Sequence, residues 1–194
     1  MMKSVCVFCG ANVGAHPQYA GAARTLGAAI AGRKLKLVFG GGGIGLMGLL
    51  ADAALAAGGK VVGVIPETLV AKELAHKGAV DLRVVNSMHE RKALMAGLAD
   101  GFIALPGGYG TLDEFCEMLT WAQLGLHAKP CGLLNVGRYF DGFLAFLDHA
   151  RAEAFVRPEH RAMLVVDSDP DALLNRLASY HAPQVPKWLD LKQT

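Results

Sequence analysis

The chain has 194 residues and a mass of 20.4 kDa, the length of one domain that can bury a sizeable core without disulfide or metal staples. Hydrophobic residues make up 53% and charged residues 19%, which excludes an intrinsically disordered chain. The 19 basic and 17 acidic residues leave a net charge of +2, too balanced for a general nucleic-acid or membrane-surface binder but compatible with a local anion site.

In chain order, short apolar runs alternate with longer amphipathic ones. Strands are predicted at Ser4–Cys9, Lys36–Phe39, Lys60–Ile65, Asp81–Val85, Gly101–Leu105, Cys131–Val136 and Leu164–Asp167. Helices are predicted at Gln18–Gly32, Ile44–Ala57, Ser87–Ala99, Thr111–Gly125, Tyr139–Glu153 and Pro170–Tyr180. Residues 66–80 break this rhythm and predict a long loop or short helix over one end of the sheet. The alternation predicts right-handed crossovers and an α/β, Rossmann-like, doubly wound sheet of about seven mostly parallel strands with helices on both faces. The non-alternating apolar strands fit a doubly covered sheet. Residues 1–182 are expected to form a single nucleotide-binding catalytic domain, and 183–194, which contain Pro183 and Pro186, a surface tail.

Four cysteines make no disulfide framework. Cys6 and Cys9 form a C-x-x-C inside an apolar strand, with no second pair to complete a zinc site. Buried, reduced cysteines, a cytoplasmic location and no metal are expected. The N-terminus lacks an apolar core of signal-peptide length, and the apolar stretch Phe39–Ala51 is glycine-rich and stops at Asp52, so no membrane span is expected.

In open parallel sheets, ligands sit at the carboxyl ends of strands, where loops enter helix N-termini. Two such loops here are glycine-rich, and 24 glycines in the chain point to them as the place to seek function. The first, Gly40–Gly48, contains Gly43-Ile44-Gly45-Leu46-Met47-Gly48, a literal G-x-G-x-x-G, with Glu67 following 19 residues after Gly48. It approaches a dinucleotide fingerprint, weakened because it follows the second strand and because Pro66 alters the chain just before the acid; contact with a phosphate is the favoured use of its glycines, and tight helix–strand packing the alternative. Gly41, Gly42, Gly43 and Gly45 are candidate phosphate contacts. No G-K-[ST] follows, so it is not a Walker loop.

The second loop runs Pro106-Gly107-Gly108-Tyr109-Gly110-Thr111-Leu112-Asp113-Glu114. Thr111 and Glu114 match a T-x-x-E capping box, which is the structural alternative. A cap does not require three glycines upstream, however, and these clear the approach to the positive end of a helix dipole. Upstream, Ser87-Met88-His89-Glu90-Arg91-Lys92 holds another capping box, with two cations near a helix start where the dipole disfavours them. Cations so placed answer an anionic ligand or partner, unless they merely face solvent. Asp113 reads as a first-turn acid, and Met47, Met88, Met95 and Met118 as core or pocket wall.

Taken together, these residues resemble the Lonely Guy (LOG) family of cytokinin riboside 5′-monophosphate phosphoribohydrolases, also labelled lysine decarboxylases. Its hallmark, P-G-G-x-G-T-x-x-E, is met by Pro106–Glu114 without departure. The similarity extends to Val7–Gly10, Phe39–Gly48, Met88–Lys92 and Thr120–His127. Ala11-Asn12 departs from the paired serines of many members, which puts one polar contact near the phosphate or ribose in doubt.

The resemblance implies hydrolysis of the N-glycosidic bond of an (N6-substituted) adenosine 5′-monophosphate to free base and ribose 5-phosphate, without metal or cofactor, in a homodimer with sites near the interface. It implies catalytic roles for Arg91 and Glu114. It implies substrate contacts at Glu73, Arg91, Lys92, Gly108, Tyr109, Gly110, Thr111, Leu112, Asp113, Glu114 and Thr120. Gly107 joins the phosphate turn. The predicted helix Thr111–Gly125 carries Phe115, Leu119, Trp121 and Leu124, more apolar surface than one sheet contact needs, in keeping with a dimer. The residue types suit the chemistry. A carboxylate can stabilise an oxocarbenium-like sugar, activate water or hold ribose hydroxyls, and a guanidinium can orient that carboxylate or touch the substrate. The alternatives are a non-catalytic nucleotide sensor, which needs no Arg91–Glu114 pair, and an NAD(P)-dependent oxidoreductase, which leaves the second loop unexplained. No lysine is marked for a Schiff base.

Overall fold

The computed structural model describes residues 2–70, 75–78 and 80–183. Seven strands, β1 (Ser4–Phe8), β2 (Lys36–Phe39), β3 (Val61–Pro66), β4 (Asp81–Val85), β5 (Phe102–Ala104), β6 (Cys131–Leu134) and β7 (Leu164–Asp167), form one sheet in the order β4-β3-β2-β1-β5-β6-β7. Every pairing is parallel. The principal helices are α1 (Pro17–Gly32), α2 (Gly45–Ala56), α4 (Met88–Leu98), α5 (Tyr109–Gln123), α6 (Asp141–Ala152) and α8 (Pro170–Ala178), with single turns α3 (Glu67–Val70) and α7 (Pro158–Arg161). All seven predicted strands are present. The irregular segment 66–80 begins as the short helix α3, and Ala75 then bridges to Gly42. The tail from residue 184 onward lies outside the described residues.

Alternate residues of each strand enter opposite layers. Val5, Val7, Leu37, Phe39, Ile103 and Leu105 belong to one core, with Leu26 and Leu50 from α1 and α2. Cys6, Phe8, Val38, Phe102 and Ala104 enter the other, with Met95 and Phe115 from α4 and α5. Each fully buried large side chain contributes about 1.5–3 kcal/mol, so both faces of the sheet are covered by necessity. The same alternation sends Cys6 and Cys9 into different layers. Their C-x-x-C spacing therefore pairs nothing, and all four cysteines are free. Pro66 sits at the end of β3 opposite Val85, beyond Phe39↔Gly63, the last β2 pairing, so its missing N–H costs no ladder bond on that side. No helix of the described residues is long and apolar enough to cross a membrane.

Candidate active site

Strands β1 and β5 are neighbours, but their crossovers depart in opposite directions, to β2 and to β6. This reversal opens a crevice at the strands' carboxyl ends. Backbone bonds stitch its rim: the Gly10 amide donates to the Pro106 carbonyl at 3.0 Å, and the Leu46 amide to the Gly10 carbonyl at 3.0 Å. A cavity of about 440 Å³ fills the crevice, lined by segments 9–14 and 106–108, by Gly110, Thr111, Asp113 and Glu114, and by Tyr19, Leu46, Met47, Met88, Arg91 and Tyr139.

Two helices bring Arg91 and Glu114 together. Ser87 caps α4, its hydroxyl accepting from the Glu90 amide at 3.1 Å, while the Glu90 carboxylate accepts from the Asn86 amide at 2.8 Å. This start turns Arg91 inward, where only 7% of it is exposed. Its Nε donates to the Val64 carbonyl at 3.0 Å and its Nη2 to the Gly40 carbonyl at 3.2 Å. Nη1 lies 3.1 Å from Glu114 Oε1 and 3.7 Å from the Met88 sulfur. Gly40 must lack a side chain because a Cβ there would collide with Arg91 Nη2. The arginine is thus braced by the ends of two strands and presents a fixed charge to one carboxylate oxygen. Burial pushes the Glu114 carboxyl above its ordinary range, and the Arg91 charge opposes that shift without cancelling it.

The capping alternative for Thr111 and Glu114 does not survive. Helix α5 begins two residues earlier, at Tyr109, with Gly108 as N-cap and no side-chain cap. The same start places Asp113 beyond the first turn, correcting its reading as a first-turn acid; it pairs with Lys92 at 3.2 Å instead. Among the described residues, no protein hydrogen bond takes up the amides of Gly108, Tyr109, Gly110 or Thr111, whereas Leu112 donates to the Gly108 carbonyl. Gly108, Gly110 and Thr111 line the cavity. Uncapped amides at a helix start form an anion-binding cradle. Gly107 admits no side chain: a Cβ would collide with the Thr111 hydroxyl and lie 2.9 Å from the Gly10 nitrogen.

The other predicted site residues lie elsewhere. Tyr109 is 95% exposed, and Leu112 packs on the core. Lys92 bonds to Asp113 and, at 3.0 Å, to Glu117. Thr120 lies further along α5, its hydroxyl donating to the Cys116 carbonyl at 2.8 Å, in a separate small cavity with Leu119 and Phe143. Glu73 lies outside the described residues. In the first glycine loop, Gly41 packs on Ile65 and Leu82, Gly43 on the backbone of Ala75 and His76, and Gly45 on the Ala11 carbonyl. Gly42 bridges to Ala75. These four line no part of the main cavity; the structure spends their missing side chains on chain-to-chain packing. On α5, Phe115 is core and Leu119 and Trp121 are partly buried against it, so of the apolar residues ascribed to a dimer face only Leu124, 57% exposed, is left open.

Sequence reasoning passed over Tyr19, Val13 and Tyr139, which join the cavity from α1, the β1–α1 loop and the turn before α6. They belong to no dense motif, and only the reversal of strand order brings them to the crevice.

A family profile described as "possible lysine decarboxylase" matches residues 47–177. The chain is 52% identical over 178 residues to a cytokinin riboside 5′-monophosphate phosphoribohydrolase of Rhodococcoides fascians, covering 91% of this chain and 90% of that protein. It is 47% identical over 178 residues to one of Arabidopsis thaliana, covering 92% and 82%. Among solved structures it superimposes on the molybdenum cofactor binding protein of Rippkaea orientalis with a TM-score of 0.70 at 24% identity, covering 92% and 98% of the two chains, which shows a shared fold.

Proposed function

This chain belongs to the LOG family of cytokinin riboside 5′-monophosphate phosphoribohydrolases, and from that premise we propose that it is a phosphoribohydrolase acting at the β1/β5 crevice. The substrate is an adenosine 5′-monophosphate, with or without an N6 substituent, and the products are the free base and ribose 5-phosphate. The observation that carries this reading is the buried Arg91–Glu114 pair, 3.1 Å apart, beside the uncapped start of α5.

In this reading the 5′-phosphate rests on the free amides from Gly108 to Thr111, which supply donors and the positive end of the dipole. Glu114 faces the sugar. As the C1′–N bond breaks, the base leaves with the bonding electrons and the ribose becomes oxocarbenium-like. The Glu114 carboxylate stabilises that charge, and water adds at C1′, delivering its proton to the same carboxylate; the departed base then takes up a proton, by way of solvent, and Glu114 returns to its ionised form. Arg91 holds Oε1, leaving Oε2 for these tasks. Exposed Met88 and Tyr109, 43% and 95% accessible near the cavity, and Thr120 outside it support a homodimer, in which a second chain covers this side. Four free cysteines fit the reducing cytoplasm.

The test is a product assay across adenosine 5′-monophosphate, its N6-isopentenyl form and the corresponding nucleosides. Free base together with ribose 5-phosphate from the monophosphates, and far slower base release from the nucleosides, is expected. No base release from any of them would defeat the proposal and leave a nucleotide-binding module. Light scattering at assay concentration tests the dimer.

A further inference from the structure

The turn joining β6 to α6 is built to present one side chain. Gly137 and Arg138 both adopt left-handed backbone, with φ of 56° and 62°, a conformation that is sterically disfavoured for a non-glycine residue. The Asn135 side chain holds the turn, accepting from the Phe140 amide at 2.7 Å and donating to Asp141 at 2.8 Å. Phe140, 1% exposed, plugs into the core. Its neighbour Tyr139 is left facing the crevice, edge-on to Tyr19 with ring centroids 5.7 Å apart. The Tyr139 hydroxyl donates to the Gly107 carbonyl at 2.6 Å.

That carbonyl shares a peptide plane with the Gly108 N–H. In a trans peptide the two groups point in opposite directions, so whatever fixes one aims the other. Between two glycines no Cβ restrains the plane, and its rotation is otherwise cheap. Gly108 is also the uncapped N-cap of α5. We propose that Tyr139 is a positioning residue: by holding the Gly107 carbonyl, its hydroxyl aims the Gly108 amide into the cradle that receives the 5′-phosphate. The inference rests on the phosphate site proposed above. Tyr139 touches no reacting atom in this role. Its contribution is to spare the substrate the cost of ordering the glycine pair, the usual source of affinity in a preorganised site.

The variant Tyr139→Phe keeps the ring contacts with Tyr19 and Phe140 and removes only the hydroxyl. Because Tyr139 is 44% exposed, water can reach the vacated carbonyl, and the melting temperature should not change. Ribose 5-phosphate binding, measured by thermal shift or calorimetry, should weaken roughly 5- to 10-fold, the scale of one hydrogen bond. KM for adenosine 5′-monophosphate should rise by a similar factor with a smaller change in kcat, and KM for adenosine should not move. Unchanged ribose 5-phosphate affinity overturns the proposal. So does an equal loss on nucleoside and monophosphate with a lower melting temperature, the pattern of a merely structural tyrosine. Failure of ribose 5-phosphate to bind the unmodified protein also overturns it, whereas release of free base by that same sample leaves the hydrolase reading standing.

Discussion

Arg91 Nη1 lies 3.1 Å from Glu114 Oε1, and the two side chains are only 9% and 10% exposed. The pair spans α4 and α5, and its arginine is tied in turn to carbonyls at the ends of β2 and β3. A buried pair of this kind stabilises little by itself, but removing one partner strands the other. Variants at either position therefore separate chemistry from folding only if both are measured.

Glu114→Gln keeps the volume and an oxygen for Arg91 but removes the charge that faces the sugar. Turnover should fall roughly 10²- to 10³-fold, the scale of a lost electrostatic stabiliser. Because Glu114 is not the cap of α5, the helix should persist and the melting temperature fall only modestly. Base release and thermal unfolding on the same preparation check this; near-normal turnover would remove Glu114 from the chemistry.

Arg91→Lys should damage both activity and stability. The structure buries Arg91 with four partners, so its replacement reaches the fold as well as the chemistry. A lysine ammonium cannot span Val64, Gly40 and Glu114 together. Turnover should drop at least 100-fold and stability by about 2–4 kcal/mol, the range for a disrupted buried charge network. Lys92→Arg, at an acid-paired position outside the cavity lining, should be mild by comparison. Denaturant unfolding and kcat for both variants make the contrast.

Glu114 also sets a pH signature. Its carboxyl is raised in the folded protein by burial, so between the ordinary carboxylate range and the raised value the native state holds a proton that the unfolded chain lacks. The contribution of this group to stability is full below that window and is lost as pH rises through it. Melting temperatures of wild type and Glu114→Gln, compared from about pH 4 to pH 7, should diverge in slope, with wild type losing relative stability as pH rises. The acid limb of kcat/KM should sit above the usual carboxylate range, because the ionised form faces the sugar. Parallel stability profiles would show that the carboxyl is not perturbed.

The glycines of the second loop should differ sharply from one another. Gly107→Ala meets Thr111 Cβ at 2.7 Å and the Gly10 nitrogen at 2.9 Å, backbone and a buried side chain that cannot step aside, so about 1–3 kcal/mol of stability and most activity should be lost. Gly110→Ala meets nothing within 4 Å and lies inside α5, where alanine should add about 0.5–1 kcal/mol. Its methyl enters the wall of the cavity, so a higher melting temperature paired with a raised KM is expected. Chemical denaturation and steady-state kinetics distinguish the two.

Much of this protein was legible in its sequence because the signals are local. Apolar runs of strand length separated by helical periods specify a doubly covered parallel sheet, and all seven strands follow from them. The dense motif Pro106–Glu114, with Arg91 one βα unit upstream, marks the site because its residues are neighbours along the chain or on successive crossovers. Where local pattern and tertiary context compete, the sequence is ambiguous. T-x-x-E reads as a cap until α5 is seen to start at Tyr109, and G-x-G-x-x-G reads as a phosphate loop until its glycines are seen packed against Ala11, Ala75 and His76. The sequence marks Arg91 by its place against a helix dipole, but only the fold brings the Val64 and Gly40 carbonyls onto its buried guanidinium. Tyr19 and Tyr139 carry no sequence signal at all, since one precedes Glu114 by four strands of the fold and the other follows it from the far side of β6. Only the reversal of strand order between β1 and β5 brings their backbones to one crevice, and that reversal is a property of how the crossovers pack rather than of any short stretch of residues.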